Sequence, residues 1–337
     1  MEIFKQSRRD FFKLLSIVFG ATSLCGIRAL LAAAKEVYPA ERITWIVPFK
    51  AGGGFDLIAR SVAPYLTKYL KELSKEARGG EIVIKNVPEA GGARAYNNIL
   101  QAKPNGYTIG DFNSGFFIEN VISGHKIDCT KYTYLLRTGV SSRLIVVHTK
   151  GFKNWDEMMK AGKEKELKWA AGNFGGGAHV ACILVKDTAK VPARLINFPG
   201  TAENANALLR GDVHMATLTE ISAKAMIDAG EFRVLATLAE NSKYPGVPSI
   251  AQLGYPELAD PLTMTYLIIG PPNLPKEITD ILIPAFKKVF NDKEFLNQAK
   301  KIDFEPDPLY GEDAERLSKK LFKYYDEKMP IVRRYLM

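Results

Sequence analysis

The stretch "WIVPFKAGGGFDLIARSVAPYL", residues 45–66, decides how this chain is read. An apolar, β-branched run ends at Pro48-Phe49. Three glycines follow, Gly52, Gly53 and Gly54. Beyond them apolar residues recur at helical spacing: Leu57, Ile58, Val62, Tyr65, Leu66, Tyr69, Leu70 and Leu73. The segment is a strand, a glycine turn and a helix. The first amides of a helix have no partner inside it, and the helix dipole makes that end positive. Glycines there let an anion reach the backbone with no Cβ in the way. The open question is which anion, a nucleotide phosphate or a substrate carboxylate.

The dinucleotide reading fails twice. Counted from Gly52, a G-x-G-x-x-G fingerprint needs glycine where Leu57 stands. The second strand should end in an acid for the ribose, and it ends at Lys85-Asn86. Similar glycine turns recur in "GGARAYNNILQAK" (91–103) and "NFGGGAHVACILVKDTA" (173–189). Strands are expected at 42–49, 81–87 and 106–112 with helices between them. That order predicts parallel pairing in an α/β layered fold. The pattern then restarts, with strands at 143–149, 167–172, 193–200, 213–219 and 232–239. A helix at 154–164 has Asn154 as its N-cap. An apolar segment at 263–275 and two helices, near 276–291 and 311–327, complete the chain. Two α/β units are expected, joined through ordered segments near 140 and 260.

The chain has 337 residues, 47% hydrophobic and 25% charged, which suits two soluble domains. Its first 34 residues read as a signal peptide. "SRRDFFK" precedes the apolar run "LLSIVFGATSLCGI", and Ala32 to Ala34 offer a cleavage site. Arg8-Arg9 resembles a twin-arginine export signal, with Phe12 where that motif usually has Leu. Loss of this segment removes five bases and two acids, and lowers the net charge from +9 to +6. The remaining lysines alternate with acids on helical segments, with no basic stripe for a nucleic acid. Cys129 and Cys182 read as two buried thiols, with a bridge as the other possibility. The four histidines have no metal spacing, and there is no G-x-S-x-G, HExxH or Fe–S cysteine cluster. No cofactor and no catalysis are therefore expected. An exported oxidoreductase is the alternative, because twin-arginine export often carries proteins folded around a cofactor.

"YPAERITWIVPFKAGGGFDLIARSVAPYL" resembles the N-terminal signature of the tripartite tricarboxylate transporter receptors, the Bug family of periplasmic solute-binding proteins. Tyr38, Pro39, Ile43, Val47, Pro48, Phe49, Gly52, Gly53, Asp56, Ala59 and Arg60 carry the match. "KNVPEAGGARAYNNILQAKPNGYTIG", "AAGNFGGGAHVA", "INFPGTAENANALLRGDVHMA" and "YPGVPSIAQLGYPE" resemble later family segments in the same order. The resemblance spans about residues 36–330. It implies an α/β, two-domain Venus-flytrap receptor with two crossover connections. Domain 1 would comprise 35–140 and 261–337, and domain 2 would comprise 141–260. A small organic anion, a carboxylate, would lie between the domains for delivery to integral-membrane transporter subunits.

By position, the resemblance assigns Phe49, Gly52, Gly53, Gly54 and Asp56 to a first-domain binding loop. It assigns Asn173, Gly175, Gly176, Gly177 and His179 to a second-domain loop. Asn113, Ser114, Thr219 and Glu220 would border the cleft. Two features depart from the family pattern. Gly176 and Gly177 stand where family members usually carry a hydroxyl residue. Glu220 places an acid where they carry a small or apolar residue; it would repel a second carboxylate or accept a hydrogen bond, with a solvated or helix-capping acid as the other reading. For Asp56 the residues alone leave helix capping and ligand contact both open. For His179 they favour packing or a helix-turn contact, with ligand contact as the other reading.

Overall fold

The computed structural model describes residues 37–75 and 77–336, with the backbone alone at Asp260. The export signal read from the sequence lies outside the described residues. Two sheets organise the chain. The first contains β1 (Ile43–Val47), β2 (Ile82–Asn86), β3 (Thr108–Asn113), β4 (Thr133–Ser141), β10 (Met264–Gly270) and β11 (Pro306–Tyr310), in the order β11-β4-β10-β3-β1-β2. The second contains β5 (Arg143–His148), β6 (Leu167–Ala170), β7 (Ala193–Ile196), β8 (Met215–Thr219) and β9 (Phe232–Thr237), in the order β7-β6-β8-β5-β9. The architecture is the two-domain α/β one expected. The chain passes from the first sheet to the second at Ser142 and returns between β9 and β10.

Pairing is parallel where a helix connects the strands, as in β1 with β2 and β3, and β6 with β7 and β8. The returning strand β10 is antiparallel to β3 and β4. β5 is antiparallel to both its neighbours, because it is entered directly from β4 with no crossover helix. Four elements were not foreseen. β4 carries Arg137 and Gly139 amid its apolar residues and has register shifts against β10. β11, "PDPLY", is an edge strand, the place where two prolines are tolerated. The helix α3 (Phe116–Ile122) is short, and α9 (Lys293–Lys301) follows α8 (Lys276–Phe290) after a cap at Asp292.

The C-terminal helix α10 (Glu312–Arg334) belongs to both units. Ala314 and Phe322 join an aromatic cluster of the first sheet with Phe112, Tyr132 and Tyr134. Leu321, Tyr325, Met329 and Val332 join the core of the second sheet, around Trp169 and Ile183. So the last turns of segment 261–337, grouped above with domain 1, pack on the second unit. Cys129 and Cys182 are free, buried thiols.

Candidate functional site

The sequence-predicted residues gather where strand ends of the two sheets face each other. The first loop leaves β1 and opens α1 (Gly54–Leu73). Its N-cap, Gly53, has extended backbone and provides no side-chain cap. Asp56 is 2% exposed and turned towards the loop's own groups. Its carboxylate accepts from Gly52 N–H at 2.8 Å, Arg60 Nε at 2.9 Å and Asn86 Nδ2 at 2.9 Å. Burial pushes its pKa up, but the bonds from Arg60, Gly52 and Asn86 outweigh burial and hold it below the usual carboxylate value. Phe49 stacks on Phe55 at 4.7 Å, and Phe55 meets the ring of Tyr266 edge-on. A Cβ added at Gly54 would lie 3.2 Å from the Tyr266 hydroxyl.

The second loop leaves β6 and opens α5 (Gly177–Ala189). Its N-cap, Gly176, is again extended and without a side-chain cap. His179 is buried, and its Nδ1 accepts from Gly175 N–H at 3.0 Å. Burial lowers its pKa to about 4, so the ring is neutral and braces the loop from within. Asn173 donates from Nδ2 to Glu119 Oε1, on α3 of the other unit, at 3.2 Å.

The loops of the two sheets touch, backbone to backbone. After β3, Asn113 Oδ1 accepts from Gly115 N–H at 3.0 Å, and Ser114 is buried beside it. A Cβ at Gly115 would lie 2.8 Å from Gly177 Cα. One at Gly177 would lie 3.3 Å from Gly115 Cα and 2.9 Å from Arg143 Nη2. Gly115 has no room for a Cβ at this approach, and one at Gly177 would have to displace the Arg143 guanidinium. At the end of β8, Thr219 caps α7 (Glu220–Asp228) by accepting from Ser222 N–H. Glu220 does not stand free in the cleft: Lys243 Nζ pairs with it at 3.3 Å. Lys243 and Tyr244 also line a surface cavity of about 570 Å³.

Three residues escaped the sequence reading. Glu119 bridges the loops, and Tyr266 backs the first one. The third is Arg143, which opens β5 opposite Thr219 in the register. It is 4% exposed. Its Nε donates to Leu262 O at 3.0 Å, and its Nη2 lies 4.0 Å from Met264 Sδ. Among the described side chains, which do not include that of Asp260, no carboxylate lies within ion-pair distance of it. The signal was present in "RLIVVH": one cation heads a strand whose next four residues are fully buried and apolar.

The family model described as "Tripartite tricarboxylate transporter family receptor" matches residues 66–332. A UPF0065 protein of Bordetella pertussis is 27% identical over 277 residues, 79% of this chain and 81% of that protein. Two solved structures share the fold. Rpa4515 of R. palustris with adipate has TM-score 0.76 at 20% identity, covering 87% of this chain and 98% of that one. MatC of Rhodopseudomonas palustris with bound malate has TM-score 0.72 at 20% identity, covering 86% and 99%. With four-fifths of its length matched by the family model and its two sheets arranged as in those neighbours, the chain belongs to the tripartite tricarboxylate transporter receptor family and is a solute-binding receptor.

Proposed function

We propose that this receptor captures a small organic carboxylate between its two units and delivers it to integral-membrane transporter subunits. The carrying observation is the pair of uncapped, glycine-opened helix ends, α1 from the first unit and α5 from the second. Each presents positive backbone amides towards the junction of the sheets. A hydrogen bond from such an amide to a charged group contributes roughly 1.5–3 kcal/mol. Adipate and malate in the two structural neighbours agree with a carboxylate. The signal read in residues 1–34 makes the receptor an exported, periplasmic one, with the twin-arginine route as the reading of Arg8-Arg9. The divisions near 140 and 260 act as the hinge about which the units close on the solute.

A thermal-shift panel of dicarboxylates, tricarboxylates, aromatic acids, amino acids, amides and uncharged solutes on residues 37–337 tests this. A ligand present at about 100 times its Kd stabilises the folded state by about 2.7 kcal/mol. At least one carboxylate is expected to raise Tm. A panel in which only amides or uncharged solutes do so would overturn the carboxylate reading.

A further inference from the structure

We propose that Glu119 and Asn173 form a latch between the two units that closes with uptake of one proton at Glu119, so that solute capture carries a proton with it. The inference rests on the capture function above and adds its coupling to pH.

The latch is built on one stripe of α3. Gly115, its N-cap, Glu119 and Ile122 follow one another at helical spacing, and all three meet the start of α5 or the loop before it. A Cβ at Gly115 would lie 2.8 Å from Gly177 Cα, and one at Gly175 would lie 3.4 Å from Ile122 Cγ2. Between these two apolar contacts Glu119 accepts from Asn173 Nδ2 at 3.2 Å. The Asn173 side chain in turn covers Gly176, the cap of α5. From the first unit, the turn Ala90-Gly91-Gly92 runs at positive φ and brings its backbone against the same carboxyl. Glu119 is left 9% exposed, and the second unit supplies part of its cover.

An ionised carboxylate loses its water on entering such a contact, and a neutral carboxyl loses far less. One amide donor does not replace that water. Burial accordingly raises the Glu119 pKa to about 7, against a smaller opposing effect of the Asn173 bond. When the units part, water returns and the carboxyl falls back towards its usual 4.5. Closure therefore takes up a proton. The affinity this adds is complete below about pH 4.5 and is lost as pH rises through about 7.

The other ionisable groups around Glu119 do not supply this linkage. Burial keeps Tyr96 on α2 (Ala93–Leu100) and Tyr325 on α10 neutral. On α5 it holds His179 at about 4 and Cys182 at about 12, both neutral near pH 7. Arg143, behind Gly177, stays charged. Glu89 and Arg94, beside the turn, are exposed. Asp111 lies inside the first unit, beside Trp45 and Asp56. His125 stacks on Phe116 and is retained in the variants below.

The test is calorimetric titration of residues 37–337 with malate and adipate first, then with the other acids of the thermal-shift panel. Titration at about pH 6.5 in two buffers of different ionisation enthalpy counts the protons taken up. The wild type is expected to take up about half to one proton more than Glu119→Gln, which keeps an acceptor for Asn173 and does not titrate. From about pH 6 to about pH 8.5 its Kd should weaken about tenfold more than that of the variant. Glu119→Leu replaces Glu119→Gln if the latter does not fold. A wild type that binds with no proton uptake would overturn the latch and leave the receptor reading intact. So would a proton count and pH dependence that the neutral variants share. A wild type that binds no acid of the panel at about pH 6 would overturn the capture reading, and the latch with it.

Discussion

Gly177→Val is expected to abolish solute binding, with a loss of at least about 100-fold, the equivalent of about two charged hydrogen bonds. The site explains both the size and the selectivity of the effect. A Cβ at Gly177 would lie 3.3 Å from the Gly115 backbone and 2.9 Å from the Arg143 guanidinium, and the methyls of valine reach further. The units could not close to their present contact, and the α5 amides would be screened from an anion. Gly177 is the first residue of its helix and does not have positive φ, so valine suits the backbone itself. Tm without ligand should fall, because the buried Arg143 guanidinium must move, while calorimetry at a temperature where the variant is still folded shows no binding of the solute found by thermal shift. Gly53→Val is the companion at the other loop. Its added Cβ would meet only Lys50 O at 3.5 Å. It should fold normally and bind more weakly. Unchanged affinity in Gly177→Val would mean that the solute does not sit at this junction.

The second large effect is on stability and comes from Glu119. Its carboxyl lies under the turn at Gly91, where a Cβ would fall 2.2 Å from Oε1, and it accepts from Asn173 across the junction. Burial raises its pKa to about 7, against a smaller opposing effect of the Asn173 bond. The folded value lies above the unfolded one, so the protonated form is the one the fold favours. Its stabilising contribution is complete below about pH 4.5 and is lost as pH rises through about 7. The shift corresponds to about 3 kcal/mol. Urea denaturation at about pH 5 and about pH 8 should show the wild type losing about 2.5 kcal/mol more stability than Glu119→Gln over the interval, because part of the contribution is already lost at pH 5. Gln keeps an acceptor for Asn173 and does not titrate. Parallel pH dependence in the two proteins would show that Glu119 is ionised at little cost.

Much of this was readable from residues alone, because the informative features were local. The glycine runs at 52–54 and 175–177 mark helix starts, and both helices begin there. Asn154 was expected as a cap, and its side chain accepts from Glu157 N–H at 2.9 Å. The family read from the sequence is the one the family comparison matches over residues 66–332, which takes in the later segments and leaves 38–60 outside the match, and that family consists of receptors rather than oxidoreductases. What stayed hidden depends on contacts distant in sequence. Nothing in "PDPLY" announces a strand until β4 is there to pair with it. The engagement of Glu220 by Lys243 joins residues 23 positions apart on different elements. Arg143 reads as an ordinary strand-opening cation until Leu262, Gly177 and Tyr266 close around it. His179 trails a glycine loop in sequence, yet its ring turns back beneath Gly175.

The central claim is that one anion is held jointly by the helix ends of α1 and α5. Amide ¹H–¹⁵N shift mapping of residues 37–337, titrated with the solute found by thermal shift, tests it most directly. The largest shifts are expected together at Gly54 and Phe55 in the first unit and at Gly177 and Ala178 in the second. Shifts confined to one of these helix ends, or centred on the cavity lined by Lys243 and Tyr244, would contradict it.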